Sequence, residues 1–245
     1  MCYKITYIYK ILQMSNYIYD MPRHKILQKP LTDKCIVLDL DLTLLSTQED
    51  TCSLKDLNIF TDPRLMELRK RIYYLNLEDL EKPGIGSNWD FYGVTRPHLQ
   101  EFLIFCFNYF SVLCVWSAGK APYVHNIVDH LFKDINYPHV VFTYDDVEMH
   151  NGNVRKPLSK MFGSNPILLD YMNHKNTLAL DDNPGTFHYN IGNGVLIKPF
   201  EPECNVSSFL QNDNALKDFM DWLMKPEVIN SQDVRTLDKT KIFKQ

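Results

Sequence analysis

Asp39 and Asp41 stand two positions apart at the end of an apolar run, residues 35–40. The run predicts a buried β-strand, and alternation along an extended chain places both carboxylates on the same side. Two carboxylates this close repel each other unless a cation or a proton lies between them. The pair could therefore serve nucleophilic or acid–base chemistry at a bound cation. On its own, the DxDxT pattern of residues 39–43 is explained equally well by a solvated acidic turn.

Ser117 follows a second apolar run, residues 111–116, and precedes two small residues, Ala118 and Gly119. A turn of small residues can present a hydroxyl group and free backbone N–H groups to an anion. An ordinary turn serine is the commoner explanation when such a feature stands alone. Ser117 and Ala118 are therefore candidate phosphate-binding residues that need support from the rest of the sequence.

Lys156 and a second acidic pair, Asp181 and Asp182, supply that support. Lys156 stands at the predicted start of a helix, residues 156–162, where a lysine is by default an exposed surface residue. The acidic pair follows a third apolar run, residues 177–180, and the sequence Asn-Pro-Gly turns the chain directly after it. With the first pair these make four carboxylates, an oxygen-rich set of the kind that Mg²⁺ prefers.

The elements that precede these residues must position them. Apolar runs separated by amphipathic segments predict parallel strands joined by helices, an α/β fold with a doubly wound central parallel sheet. We expect one domain, with an N-terminal extension before it and a loose polar tail after it. The predicted strands are residues 35–40, 111–116, 177–180 and 194–197, the helices 97–109 and 156–162, the extension 1–32, the domain 33–230 and the tail 231–245.

A small insertion, about residues 47–95, separates the first strand from the rest of the predicted sheet. One helix is expected in it, over residues 62–77, because Asp62 could cap its N-terminus and Pro63 stands just inside. We expect this helix to lie over the edge of the sheet.

The composition argues against some classes of function. The formal net charge is −4, so the chain lacks the basic surplus expected for direct nucleic-acid binding. No apolar run is long enough to span a bilayer, and the first residues lack a secretory signal. Three cysteines, Cys35, Cys106 and Cys114, lie in apolar runs, and none of the six stands at zinc-ligand spacing. We expect a soluble, intracellular protein of nucleus or cytoplasm, translated from Met1 or Met14.

The order of these features resembles the four motifs of the haloacid dehalogenase superfamily. Within it, the chain resembles the small phosphatases of the RNA polymerase carboxy-terminal domain, also called NLI-interacting-factor-like phosphatases. The resemblance extends from about residue 33 to about residue 222, most of the chain. It is carried by the segments IVLDLDLTLL, TRPHLQEFL, SVLCVWSAGKAPY, HNGNVRKPLSK and LALDDNPGTF.

The resemblance implies a role for each candidate residue. The nucleophile of the family corresponds to Asp39 and its general acid/base to Asp41. The phosphate-binding hydroxyl corresponds to Ser117, followed by Ala118 in the same turn, and the charge-neutralising lysine corresponds to Lys156. The implied reaction is the hydrolysis of a phosphate monoester through an aspartyl-phosphate intermediate.

The resemblance also implies a cofactor and a substrate class. Mg²⁺ would be held by the carboxylate of Asp39, the backbone carbonyl of Asp41 and the acidic motif, Asp181 and Asp182. The implied substrate is a phosphoserine or phosphothreonine protein, the RNA polymerase tail among them. A phosphatase of small molecules or nucleic-acid ends, and a non-catalytic binding module on the same fold, remain as alternatives.

The sequence departs from the family pattern mainly after the first motif. Relatives usually have Glu where Leu42 stands, and short strands there build an apolar pocket for a proline beside the phosphoserine. A helix over residues 62–77 would replace that pocket. On this basis we expect weak preference for polymerase-tail phosphopeptides.

Overall fold

The computed structural model of the protein describes residues 29–49, 57–78, 80, 84 and 86–243. Within them, five parallel strands form a central sheet in the order β10-β9-β1-β5-β6. These strands are β1 (Cys35–Leu38), β5 (Val112–Trp116), β6 (Val140–Phe142), β9 (Thr177–Asp181) and β10 (Gly194–Leu196), and the strands outside the sheet are β2 (Leu45–Glu49), β3 (Ile72–Glu78), β4 (Asn88–Thr95), β7 (Glu148–His150) and β8 (Asn153–Arg155).

Strand β1 lies at the centre of the sheet, and its four residues are all buried. It pairs in parallel with β5 and β9, so that Cys35 is opposite both Val112 and Thr177. Ile36 packs in the larger core on one face of the sheet and Val37 in a second core on the other. A strand covered on both faces is apolar throughout, which explains why this run was recognisable in the sequence.

Helices cover both faces of the central sheet. On the larger core lie α2 (Leu99–Tyr109), α3 (Ala121–Phe132) and α7 (Ala215–Leu223), and on the smaller core lie α4 (Leu158–Gly163) and α5 (Pro166–Leu169). The prediction of an α/β fold with a doubly wound parallel sheet is therefore confirmed. The helices are α1 (Met66–Arg69), α2 (Leu99–Tyr109), α3 (Ala121–Phe132), α4 (Leu158–Gly163), α5 (Pro166–Leu169), α6 (Val206–Phe209), α7 (Ala215–Leu223) and α8 (Pro226–Ile229).

The insertion after the first strand contains an antiparallel sheet in the order β2-β4-β3, not the predicted helix over residues 62–77. Asp62 does cap a helical turn, since its side chain accepts a hydrogen bond from the backbone N–H of Arg64. Helix α1 nevertheless ends at Arg69, and β3 begins at Ile72. Buried and exposed side chains alternate along β3, the period of a strand with one face on a core. The helix prediction was wrong because a local cap signal was extended over residues whose pattern has period two.

The C-terminal segment is packed against the domain as far as residue 243, so the predicted loose tail is wrong for the described part. Val234 is fully buried and Ile242 nearly so. The Nζ of Lys239 donates to the carbonyl oxygen of Gly192 at 2.9 Å. Isolated apolar residues anchor the segment, and they give no periodicity by which a sequence pattern could be recognised.

The cysteines agree only in part with the expectations from the sequence, and the N-terminal extension lies largely outside the described residues. Of the predicted N-terminal extension, only residues 29–32 are described. Cys35, Cys106 and Cys114 are free and buried, as expected for apolar runs. Cys204 is disulfide-bonded, which the sequence analysis did not anticipate. Among the described residues, no helix combines the length and apolar character needed to cross a membrane.

Candidate active site

The predicted site residues meet at the carboxyl edge of the central sheet. Asp39 follows β1, Ser117 follows β5 and Asp181 ends β9, and these three strands are adjacent in the sheet. Lys156 follows the short hairpin of β7 and β8 and reaches the same edge. Together they border an open cavity of about 370 Å³. Its lining is Asp39, Asp41, Leu42, Ser117, Ala118, Gly119, Val154, Lys156, Asp181, Asp182, Asn183 and Thr186.

Lys156 is a buried cation shared between two buried carboxylates. Its Nζ lies 2.6 Å from Asp39 Oδ1 and 2.7 Å from Asp181 Oδ2. Burial works to lower the pKa of Lys156, but Asp39 and Asp181 outweigh it and leave the pKa above its ordinary value. The side chain is therefore a permanent positive charge at the floor of the cavity, not the exposed surface lysine that is the default for its residue type.

Lys156 does not fully offset the cost of ionising the buried carboxylates around it. Burial raises the pKa of Asp39 to about 8, and repulsion from Asp181 and Asp41 adds to the rise that Lys156 opposes. The pKa of Asp182 is also raised, by partial burial and by Asp181. Raised carboxyl pKa values show that the ionised forms are poorly solvated here, and a further cation would stabilise them.

A divalent cation fits the donor set of the site. Asp39, Asp181 and Asp182 each offer a carboxylate oxygen, and the three oxygens lie within 4.8 Å of one another. Hard cations such as Mg²⁺ bind oxygen ligands of this kind. The side chain of Asp41 does not belong to this group, which leaves its backbone carbonyl as the predicted ligand.

The carboxylate of Asp41 is held by hydroxyl groups. Tyr123 donates a hydrogen bond to Oδ1, and the Oγ of Ser117 lies 3.4 Å from Oδ2. Burial raises the pKa of Asp41, and the hydrogen bond from Tyr123 opposes that rise. Tyr123 stands six residues after Ser117 in the segment SVLCVWSAGKAPY, but no sequence signal indicated this role, because an aromatic residue on a helix is usually part of a core.

The turn after β5 lies at the border of the cavity. Ser117 is buried, and its Oγ accepts a hydrogen bond of 3.0 Å from the backbone N–H of Gly119. Ala118 is exposed and lines the cavity beside them. A small-residue turn therefore borders the same cavity as the acidic group, where an anion would meet backbone N–H groups and a hydroxyl.

The loop that carries the DxDxT pattern is fixed by contacts that the sequence did not reveal. The Oγ1 of Thr43 accepts a hydrogen bond of 3.1 Å from the backbone N–H of Asp182, which joins the two acidic motifs. Leu42 adopts a left-handed conformation, with φ of 58°. The Nη1 of Arg96 donates to the carbonyl of Thr43 at 2.9 Å, and its Nη2 lies 2.9 Å from Asp213. Arg96 thus connects the loop to the C-terminal part of the chain.

Replacing Arg96 with Met should destabilise the fold by about 3 kcal/mol, because it leaves Asp213 and the Thr43 carbonyl without their buried donor. The measurement is urea-induced unfolding of both proteins. Arg64→Met is the matched control, since Arg64 also pairs with an aspartate, Asp62, but on the exposed surface. A loss no greater for Arg96→Met than for the control would contradict the structural role of Arg96.

Comparison with solved structures identifies proteins of similar fold. The structure of Fcp1, an essential RNA polymerase II CTD phosphatase, is 18% identical, with a TM-score of 0.52 over 82% of this chain and 48% of that chain. A variant of the fission yeast RNA polymerase II CTD phosphatase Fcp1 bound to beryllium fluoride is 19% identical, with a TM-score of 0.51 over 82% and 50%. The chain therefore spans about half the length of these structures. No curated protein sequence matches it.

Comparison with family models gives the stronger result. The model of the NLI interacting factor-like phosphatases matches residues 34–235. The match begins just before β1 and ends beyond the last helix, so it includes every residue that lines the cavity. The resemblance predicted from the sequence is thereby confirmed, and the chain belongs to the family of NLI interacting factor-like phosphatases.

Proposed function

We propose that the protein is a magnesium-dependent phosphate monoester hydrolase in which Asp39 is the nucleophile. One observation carries the proposal: the carboxylate of Asp39 lies at the floor of an open cavity, with Lys156 at 2.6 Å and a small-residue turn beside it. A carboxylate next to a buried cation is suited to meet a phosphoryl group whose charge the cation offsets.

The chemistry divides between the two aspartates of the first motif. One carboxylate oxygen of Asp39 bonds to phosphorus while the bond from phosphorus to the departing oxygen breaks, and Asp41 gives that oxygen its proton. In the second step a water molecule bonds to phosphorus and loses a proton to Asp41. The bond between Asp39 and phosphorus then breaks, releasing inorganic phosphate. Lys156 and the turn at Ser117 would bind the remaining phosphoryl oxygens.

The metal requirement follows from the charges of the site. Asp39, Asp181 and Asp182 would hold Mg²⁺ together with the backbone carbonyl of Asp41, and the ion would supply positive charge next to the phosphoryl group. The three carboxylate oxygens within 4.8 Å of one another support this assignment. The raised pKa values of Asp39 and Asp182 support it further, because burial and repulsion from Asp181 disfavour their ionised forms, which a bound cation would stabilise.

We propose a phosphoserine or phosphothreonine protein as the substrate. The cavity opens to solvent, and the two similar structures named above are described as RNA polymerase II CTD phosphatases. The antiparallel strands of the insertion also remove the reason for expecting weak preference for polymerase-tail peptides, because that expectation depended on a helix over residues 62–77. Phosphate release from phosphoserine peptides, compared with release from sugar phosphates and 5′-phosphorylated oligonucleotides, would test the substrate class.

Activity should depend on Mg²⁺ and on Asp182. Release of p-nitrophenol from p-nitrophenyl phosphate should stop in excess EDTA and return when Mg²⁺ is added in surplus. Asp182→Ala removes a proposed ligand, so half-maximal activity should require at least about tenfold more Mg²⁺.

Asp145→Ala is the control for the metal experiment, because Asp145 is exposed and lies outside the acidic group. Its dependence on Mg²⁺ should match that of the wild type. Undiminished turnover in EDTA would contradict the metal requirement. An unchanged Mg²⁺ dependence of Asp182→Ala would remove Asp182 from the proposed ligands. Absence of turnover by the wild type with Mg²⁺ and any phosphate ester would favour a non-catalytic role.

A further inference from the structure

Three hydroxyl groups form a continuous chain that ends on the carboxylate of Asp41. The hydroxyl of Tyr73 lies 2.6 Å from the Oγ1 of Thr47, which in turn contacts the hydroxyl of Tyr123. Tyr123 donates to Oδ1 of Asp41. Thr47 belongs to β2 and Tyr73 to β3, so the chain connects the antiparallel sheet of the insertion to the first catalytic motif.

The hydrogen bonds of this hydroxyl chain have a fixed donor-to-acceptor direction when Asp41 is ionised. A carboxylate only accepts hydrogen bonds, and each hydroxyl has a single proton to donate. With the proton of Tyr123 committed to Asp41, the contact between Tyr123 and Thr47 is a hydrogen bond when Thr47 donates, and Tyr73 then donates to Thr47. All three protons therefore point towards Oδ1 of Asp41, and chains of this kind strengthen each other in a buried setting.

The sheet of the insertion makes room for this chain. Gly93 of β4 is directly opposite Tyr73 of β3, and a Cβ atom at Gly93 would overlap the Tyr73 ring. The absence of a side chain at this position is what lets the tyrosine cross its neighbour strand and reach Thr47. The ring of Phe91, also in β4, packs against Tyr123 with centroids 5.8 Å apart. Both tyrosines of the hydroxyl chain, Tyr73 and Tyr123, thus pack against β4.

We propose that Tyr123, Thr47 and Tyr73 are positioning residues, which hold Oδ1 of Asp41 and thereby direct Oδ2 into the cavity. The position of Ser117 supports this orientation, because its Oγ is 3.4 Å from Oδ2 and it lines the cavity with Asp41. The inference rests on the proposed function, in which Asp41 transfers protons. It adds that the insertion contributes to catalysis through the geometry of Asp41, without contact between these three residues and the reacting atoms.

Leaving-group dependence separates positioning from a general structural defect. Phenol is a poor leaving group and needs a proton from Asp41, whereas p-nitrophenol departs readily without one. Tyr123→Phe should lower kcat/KM for phenyl phosphate by about tenfold to a hundredfold, the range expected when a reacting group is misplaced. It should lower kcat/KM for p-nitrophenyl phosphate by less than about threefold, since that step depends little on acid catalysis. A partly unfolded variant would lose both activities by the same factor.

Thr47 provides a second test in which the tyrosine remains. Thr47→Val removes the hydroxyl that supports Tyr123. Like Tyr123→Phe, it should lower the ratio of kcat/KM for phenyl phosphate to kcat/KM for p-nitrophenyl phosphate. Thr47→Ser keeps the hydroxyl and should restore the ratio to that of the wild type. Tyr109→Phe is the matched control, because Tyr109 is also a buried tyrosine, and its hydroxyl donates to the carbonyl of Leu223 at 2.8 Å. It should leave the ratio unchanged.

The outcomes distinguish this inference from the proposed function. If the wild type shows no magnesium-dependent turnover of either ester, the proposed function fails, and the role of the hydroxyl chain fails with it. If the wild type is active and Tyr123→Phe and Thr47→Val keep its ratio of kcat/KM values, only the positioning role is overturned. A lower ratio of kcat/KM for phenyl phosphate to kcat/KM for p-nitrophenyl phosphate in both variants, with recovery in Thr47→Ser, supports the positioning role.

Discussion

Asp39→Asn is expected to abolish turnover, lowering kcat by about a million-fold, the order of loss seen when an enzyme loses its nucleophile. The amide oxygen of asparagine is a poor nucleophile and cannot form a stable bond to phosphorus. No phosphoryl label should be found on the variant after incubation with substrate and Mg²⁺. Among the described residues, Asp181 of the acidic group should not replace Asp39 as nucleophile, because its carboxylate already accepts hydrogen bonds from Lys156 and from the backbone N–H of Asn183.

Loss of activity in this variant should not result from unfolding. Burial raises the pKa of Asp39 to about 8, so above that pH the folded protein contains a poorly solvated charge that the amide does not have. We expect the free energy of unfolding of Asp39→Asn in EDTA to be no lower than that of the wild type at pH 9. Asp33→Asn, an exposed aspartate six residues earlier, is the matched control and should retain activity. Substantial turnover or a phosphoryl label in Asp39→Asn would exclude Asp39 as the nucleophile.

The positions of the acidic residues and of Ser117 at one edge of the sheet could be predicted because each is marked by a local signal. Asp39, Ser117 and Asp181 each stand at the end of a run of buried apolar residues, and parallel strands end at one edge of a sheet. The predicted strands agree with the observed ones to within one or two residues. Strand β6 was missed because it has only three residues, of which Phe142 alone is buried. A run this short is too weak a pattern to identify a strand.

The helix over residues 62–77 of the insertion was predicted wrongly because local and tertiary signals disagree there. Asp62 and Pro63 are a genuine helix start, and the turn they begin does form. The segment that follows is decided by pairing instead, since β3 matches β4 residue by residue from Ile72 to Glu78. Burial of its alternate residues against the core outweighs the helical preference of the preceding turn. The partner of β3 lies beyond a loop, so the only sequence evidence for β3 is its alternation of apolar and polar residues. The helix-capping signal at Asp62 obscured that alternation.

Contacts between distant parts of the chain were the least predictable. Tyr123 is 82 residues from Asp41, and Arg96 is 117 residues from Asp213. Each of these residues has an ordinary alternative role, an aromatic in a core or an arginine on the surface. The resemblance to a family identifies residues of known motifs, but the particular hydrogen bonds that orient them depend on the packed structure. This is why a role for Asp41 could be proposed from the sequence, whereas the hydroxyl groups that hold its carboxylate could not be identified.

Asp41→Asn should separate the two half-reactions that Asp41 is proposed to serve. Asparagine keeps an oxygen that can accept the hydrogen bond from Tyr123, so the side chain should stay in place. Steady-state turnover should fall by about a hundredfold to ten-thousandfold, the effect typical of a lost general acid/base. With p-nitrophenyl phosphate the first step should suffer less than the second, because p-nitrophenol departs without a proton whereas the attacking water always needs a base.

Rapid mixing of Asp41→Asn with p-nitrophenyl phosphate and Mg²⁺ should therefore give a burst of p-nitrophenol approaching about one equivalent per active site. An acid-stable, hydroxylamine-sensitive phosphoryl label should accumulate on Asp39, identified by mass spectrometry after quenched flow. The double variant Asp39→Asn/Asp41→Asn is the control, and it should show neither burst nor label. A label on another residue, or steady turnover without any label, would contradict the assignment of Asp39 as nucleophile and Asp41 as its acid/base partner. Because the burst needs a carboxylate at Asp39 and the stalled second step needs a base at Asp41, this one experiment tests both roles in the same molecule.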